Sequence, residues 1–382
     1  LIRKIFFWAH LVAGFSAGVF VLLMSLTGVL LTYESQIVDF AVARAIDVQA
    51  DQEPLGRDAL VAAALAGGAL PGQSIVLPRA ENAPARLVVG RSTIALNPFT
   101  GARLDEAGAA AREFFSKVTA LHRWLSLSGR TGVGGTLLDA SNLIFLFLIV
   151  TGLYLWLPRM FRWTLLKVRL VFRRGLPNAQ ARHYNWHHVF GIWAAIPLFF
   201  IVLSGVVFSY SWANNLVFTL VGEDAPQGRG RRGGGDAELP ADLQNATLSG
   251  TPLSYDALLS EASAELPNWR RAIIVLPQPD AGVLQLTLDE GNGVQNAASK
   301  ELAVDRVSGD IVAEQPEAQN TLGSRLRRWL RFVHTGEIYG VLGQTITGLA
   351  SLAAIVMVYT GFSLGIRRLA RMWRQRQVAR SA

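Results

Sequence analysis

The sequence predicts an integral membrane α-helical protein: four transmembrane helices in two pseudo-twofold repeats, with two α+β domains outside the membrane. Three observations predict it. Of 382 residues, 51% are hydrophobic and 17% charged, and residues 5–33, 140–158, 189–222 and 338–366 hold no charged side chain. About 20 such residues suffice to cross a bilayer. Three other segments carry basic residues and no acidic ones. Finally, one pattern occurs twice: His10, Gly14, Thr27 and Gly28 return as His187, Gly191, Ser204 and Gly205.

Residues 1–34 form the first transmembrane helix, entered through Arg3 and Lys4. Its apolar run is too long for a signal peptide and no small-residue cleavage site follows, so an uncleaved anchor is expected. Residues 35–130 make the first outer domain and 131–158 the second helix. The loop 159–182 carries Arg159, Arg162, Lys167, Arg169, Arg173, Arg174 and Arg182, and the tail 367–382 carries six arginines. Basic loops stay cytoplasmic. Both termini and this loop are therefore expected inside, with the outer domains in the periplasm of a bacterial inner membrane. The third helix then spans 183–213, the second outer domain 214–335 and the fourth helix 336–366. The net charge of +8 has this topological cause, so nucleic acid is excluded as a partner and lipid takes its place.

Each outer domain shows strand-like runs, Arg86–Val89 in one and Val283–Leu288 in the other, followed by a polar turn. The turns are Asn97-Pro98-Phe99-Thr100-Gly101 and Asp305-Arg306-Val307-Ser308-Gly309, where glycine permits a positive φ. Residues 57–67 and 254–266 read as helices. Residues 225–240 are rich in Gly and Arg and read as a linker. After each domain comes a basic amphipathic segment, Phe114–Leu127 or Leu326–Val333. Each brings a histidine, His122 or His334, then spaced glycines, then a span ending in Thr151-Gly152 or Thr360-Gly361.

The chain has no cysteine, which excludes iron–sulfur ligation, a thiolate-ligated haem and covalent haem attachment. Of six histidines, four fall at repeat-equivalent places. The repeat axis pairs His10 with His187 near the cytoplasmic face and His122 with His334 near the outer face. Two facing imidazoles suit a six-coordinate haem iron built for electron transfer. The expectation is two non-covalent, bis-histidine haems, one at each side of the membrane. His188 competes with His187, since Trp186-His187-His188 matches Trp8-Ala9-His10 at the tryptophan. The glycines and the Ser-Gly select His187. His183 reads as a surface histidine. Arg3 and Arg182 inside, and Arg123, Arg130, Arg328 and Arg331 outside, suit propionate carboxylates or plain interfacial anchoring. Trp212, Trp269, Tyr255 and Tyr339 are candidates for an outer docking surface or for packing. No catalytic dyad stands out.

The H-x-x-x-G start, the Thr-Gly of the first span, Leu121-His122-Arg123-Trp124-Leu125 and the V-D-x-x-S-G at 304–309 resemble the PepSY-associated transmembrane family over nearly the whole chain, and within it the inner-membrane siderophore reductases. The resemblance implies PepSY-like periplasmic domains and two b-type haems ligated by His10, His122, His187 and His334. It also implies electron delivery to a ferric hydroxamate siderophore of the ferrioxamine kind. No Rossmann glycine fingerprint is present, so electrons would come from a quinol or a separate donor. Two other readings use the same architecture: a siderophore or metal permease, and a non-enzymatic PepSY membrane module.

Overall fold

The computed structural model describes residues 1–46, 52–90, 92–126, 132–158, 162–225, 243, 245–291, 299–314 and 321–381. Apart from Ala225, the expected linker 225–240 lies outside the described residues, as do Gly129 and Arg130. The chain opens with α1 (Ile2–Leu31), α2 (Glu34–Ala43), α3 (Arg57–Ala66), β1 (Ser74–Pro78), β2 (Ala85–Val89), β3 (Ser92–Leu96), β4 (Arg103–Leu104) and α4 (Ala109–Trp124). Next come α5 (Gly132–Trp156), α6 (Trp163–Leu170), α7 (Ala179–Ser209) and α8 (Ser211–Thr219). The remainder is α9 (Tyr255–Ala262), β5 (Arg271–Val275), β6 (Val283–Asp289), β7 (Ser299–Asp305), β8 (Ile311–Glu314), α10 (Leu322–Thr335), a 3-10 turn at Glu337–Tyr339, and α11 (Gly340–Ser381). Two compact units result, residues 1–34, 114–225 and 325–382 in one and 35–113 and 226–324 in the other.

The first unit is helical. Among the described residues, four stretches are long and apolar enough to cross a membrane: Ile2–Ala43, Gly132–Trp156, Ala179–Ser209 and Glu337–Ala379. This is an α-helical membrane protein. Helices α1, α5, α7 and α11 pack in that order as a closed ring. Lipid is as apolar as leucine, so close packing must hold such helices together. At the α1–α11 contact Phe362 lies over Gly18 and Phe15 over Gly365; a Cβ at either glycine would come within 2.5 Å of the ring. The two phenyl rings meet edge to face at 5.1 Å.

Helix ends depart from the expected boundaries for local reasons. Helix α7 starts earlier, where Asn178 Oδ1 accepts a hydrogen bond from Ala181 N–H at 2.8 Å, a standard N-cap. It stops at Ser209 because Tyr210 is extended, φ −113° and ψ 125°, so the uncharged run to residue 222 is split and continues as α8. The loop 159–182 contains a helix, α6. The tail 367–382 is helical to Ser381 as a continuation of α11; no proline interrupts it, and Arg, Ala and Gln favour helix. Gly336, at φ +78°, turns the chain out of α10, and a Cβ there would sit 2.6 Å from Gly343 O.

The second unit corrects the expectation of two separate α+β domains. All eight strands form one sheet, ordered β4-β3-β2-β1-β5-β6-β7-β8. Strands β1 and β5 pair antiparallel with Ile75 opposite Ile274. Alone, each four-stranded half would expose an apolar edge strand, which proteins avoid. Val61, Ile75, Leu77, Leu87 and Leu96 share one buried core with Leu258, Leu259, Leu284, Leu286 and Leu288, and each such side chain contributes about 1.5–3 kcal/mol on burial. The two turns are built alike. Asn97 Oδ1 accepts from Phe99 N–H at 2.8 Å and Thr100 N–H at 3.2 Å. Asp305 Oδ1 accepts from Val307 N–H at 2.8 Å and Ser308 N–H at 2.9 Å. The Ser308 and Val307 N–H groups hold the Asp305 carboxyl below its ordinary range. Gly101 and Gly309 close these turns at φ +71° and +83°.

Candidate metal centre

Four histidines stand at two levels of the helical unit. His10 on α1 and His187 on α7 stand at one end, beside Thr151 and Thr360. At the other end His122 on α4 faces His334 on α10, ring centres 6.4 Å apart and planes at 69°.

Every one of the four is held by the same device. Thr151 Oγ1 lies 2.9 Å from His10 Nδ1 and Thr27 Oγ1 lies 2.8 Å from His122 Nδ1. Thr360 Oγ1 lies 3.1 Å from His187 Nδ1 and Ser204 Oγ lies 3.0 Å from His334 Nδ1. These hydroxyls belong to the Thr-Gly and Ser-Gly pairs of the four spans, and all are buried. Each hydroxyl donates its proton to its own helix: Thr151 to Phe147 O at 2.7 Å, Thr27 to Leu23 O at 2.7 Å, Thr360 to Val356 O at 2.8 Å and Ser204 to Ile201 O at 2.8 Å. Its oxygen is then left to accept, so Nδ1–H is the donor. A second acceptor fixes the same tautomer twice more, Met357 O for His187 at 3.2 Å and Ile201 O for His334 at 2.8 Å. With the proton on Nδ1, Nε2 presents a lone pair, the form in which imidazole binds a metal.

The glycine after the hydroxyl makes room for the ring. A Cβ at Gly152 would lie 3.3 Å from His10 Cε1, one at Gly361 3.4 Å from His187 Cε1, and one at Gly28 3.8 Å from His122 Cε1. At Gly205 the crowding neighbour is Asn142 instead, at 2.7 Å. Helices α4 and α10 are not among the membrane-spanning stretches, and burial lowers the pKa of both their histidines, to about 4 for His122 and downward for His334. Both are therefore neutral near pH 7.

The arrangement fits a planar metal cofactor better than a caged ion. Among the described residues no group of three or more His, Cys, Asp or Glu side chains could hold a metal, and each level brings two of the four histidines. His122 and His334 would be the residues to hold such a group at their level, their rings facing each other at 6.4 Å.

The family model for the PepSY-associated TM region matches residues 7–368. The chain belongs to the PepSY-associated transmembrane family. Comparison with curated proteins finds no match. Other sequence candidates in this PepSY-associated protein fall into place around the four histidines. His188 Nδ1 lies 2.8 Å from Tyr184 O on its own helix and its ring stacks on Tyr184 at 4.0 Å, so it turns away from the Thr360 anchor that holds His187. His183, expected at the surface, is buried: Nδ1 meets Ser363 Oγ at 2.7 Å and the ring meets Tyr359. Ser363 is one turn beyond Thr360, so α11 fastens two histidines of α7 in register.

The arginines divide. Arg3 donates to Leu155 O and Leu157 O at 2.5 and 2.8 Å, capping α5. Arg123, Arg182 and Arg331 lie over Trp124, Trp186 and Phe332. Among the aromatic candidates, Trp269 is a core residue whose Nε1–H donates to Ser263 Oγ at 2.7 Å, and Tyr255 packs against the same core. Trp212 and Tyr339 are exposed. In sequence the Thr-Gly pairs read as packing features, and nothing local marks their hydroxyls as histidine anchors. The signal is their place: Thr27-Gly28, Thr151-Gly152, Ser204-Gly205 and Thr360-Gly361 stand at repeat-equivalent positions, as the four histidines do.

Proposed function

We propose that this protein is a di-haem b-type oxidoreductase of the bacterial inner membrane that reduces a ferric hydroxamate siderophore in the periplasm. One observation supports the reading above others: four imidazoles are each tied through Nδ1–H to a buried hydroxyl, with Nε2 left for a metal. His10 with His187 would hold one haem and His122 with His334 the other. Both would be non-covalent, since no cysteine exists to attach them. When bound, haem supplies a one-electron carrier. The residues supply the rest. Thr27, Thr151, Ser204 and Thr360 keep the proton on Nδ1, and Gly28, Gly152 and Gly361 admit the rings beside them.

The basic residues of the N-terminus, the 159–182 loop and the tail support a cytoplasmic position for the His10–His187 end. Electrons would enter there, from a quinol or a separate donor, and leave at the His122–His334 end. The ferrioxamine-type substrate follows from the family resemblance and from simple chemistry. Hydroxamate oxygens are hard donors that hold ferric iron far better than ferrous, so one electron per iron releases it. Outer-sphere transfer of that electron needs no acid or base.

The test begins with the visible spectrum of detergent-purified protein, where a Soret band that shifts on dithionite and two haems per chain are expected. His334→Ala should retain one haem and lose siderophore reduction. A chain that stays colourless after reconstitution refutes the haem reading. Dithionite-reduced protein that no ferric siderophore reoxidises refutes only the substrate.

A further inference from the structure

We infer that a hollow between α7 and α11, at the arginine-bearing end of the helical unit, binds an anionic phospholipid. The hollow has a volume of 590 Å³ and is lined by Arg173, Arg174, Arg182, Trp186, Phe190 and Val356. Arg182, Trp186 and Phe190 follow one another a turn apart on α7, so the lining passes from guanidinium to indole to phenyl over about 12 Å. Arg173 and Arg174 are brought beside them by a fastened loop. Arg173 N–H donates to Asn185 Oδ1 at 3.0 Å, and Asn185 Nδ2 donates to Val168 O and Val171 O at 2.7 and 3.1 Å. Asn185 is buried, so the loop is built onto α7 and its two arginines stand with Arg182.

The three guanidinium groups form no ion pair with a carboxylate among the described residues. Three neighbouring cations of this kind suit a phosphate, which guanidinium forks grip well. Free phosphate would use the arginines and leave the aromatic wall bare. A neutral ring would use the wall and leave the arginines bare. An anionic phospholipid uses both, with its headgroup on the arginines and an acyl chain along Phe190 and Val356. Basic pockets between membrane helices at the cytoplasmic level take such lipids, and the charge pattern puts this end at that level.

The test needs no cofactor and so stands apart from the haem reading. Full-length protein in neutral detergent is titrated with phosphatidylglycerol, phosphatidylcholine or inorganic phosphate, following the melting temperature and the lipid retained in native mass spectrometry. R173Q/R174Q/R182Q is carried in parallel. The expected result is stabilisation and one retained lipid with phosphatidylglycerol alone. The variant, melting like wild type without lipid, should bind about a hundredfold more weakly, at roughly fivefold per arginine. Equal effects of the two lipids, stabilisation by inorganic phosphate alone, or an undiminished response in the variant would overturn the inference. If the variant melts lower without lipid, R182Q alone provides the comparison, with a loss of about fivefold expected and an unchanged affinity overturning the inference.

Discussion

Thr151→Val removes one oxygen from the interior and keeps the side chain's shape. Among the described residues Thr151 Oγ1, at 2.9 Å, is the one acceptor that His10 Nδ1–H meets. His187 differs, having Met357 O at 3.2 Å besides Thr360 Oγ1 at 3.1 Å. A buried N–H deprived of its acceptor costs about 1–3 kcal/mol, which is roughly fivefold to 150-fold in an equilibrium. Loss of a hydrogen-bonded partner behind a metal-bound histidine weakens the metal about 10–100-fold. The two ranges overlap, so Thr151→Val should weaken haem binding at the His10–His187 level by at least about tenfold. Thr360→Val should weaken it less, because a carbonyl remains to hold the same proton. Thr151→Ser should restore most of the loss. Apo-protein is titrated with haem at the Soret band and the haem-off rate measured, with the melting temperature of the apo-protein as control for folding. Equal losses for Thr151→Val and Thr360→Val, or no rescue by serine, would show that the hydroxyls do not set the tautomer.

Three further outcomes follow from the same structure. His187→Ala should lose the haem at its level, whereas His188→Ala, whose ring lies on Tyr184, should keep it; pyridine haemochrome counts decide. Gly336→Ala should lower the melting temperature of the protein and the occupancy of the His334 level together. Its φ of +78° costs a side chain about 1–2 kcal/mol, and the new Cβ would meet Gly343 O at 2.6 Å. Asp305→Asn concerns pH. The Ser308 and Val307 N–H groups depress the folded-state pKa of Asp305, so its stabilisation is present above the unfolded value near 3.9 and is lost as pH falls through the folded one. The asparagine variant, which copies the turn at Asn97, should show a flatter loss of stability on acidification. Parallel melting curves between neutral and acid pH would exclude this carboxylate.

Much of the membrane architecture is legible in the sequence because hydrocarbon admits only backbone that satisfies itself, and long uncharged runs record that requirement directly. A hydropathy run does not record a single extended residue, so the break at Tyr210 inside the 189–222 block escapes it. Alternation in Val283–Leu288 shows a strand and its buried face but not its partner. The β1–β5 pairing joins residues far apart in the chain, and nothing local in Ser74–Pro78 specifies Arg271–Val275. The same limit applies to the candidate site. The histidines and the Thr-Gly pairs are visible as a repeat, yet which hydroxyl meets which imidazole depends on helix order. His183 shows it most plainly. Its spacing from His187 and that of Ser363 from Thr360 are both in the sequence, and only the packing of α7 on α11 makes them a contact.

That packing also explains why the repeated motif has a fixed length. His10 and Thr27 share α1, and His187 and Ser204 share α7, so each helix carries a histidine, the proposed ligand, at one level and an anchoring hydroxyl at the other. Seventeen residues of helix separate the two by about 25 Å and place them about 100° apart around the axis. The ligand therefore faces one neighbour and the anchor another: His10 meets Thr151 on α5 while Thr27 meets His122 on α4. In the second half His187 meets Thr360 on α11 while Ser204 meets His334 on α10. Each histidine is thus oriented by its own half of the chain, but each pair is made across the halves, as His122 facing His334 shows. One inserted residue between His10 and Thr27 would rotate one end against the other by about 100°, and no loop could compensate. Ligand and anchor would then be unable to reach α5 and α4 at once, which is why the spacing recurs along with the residues.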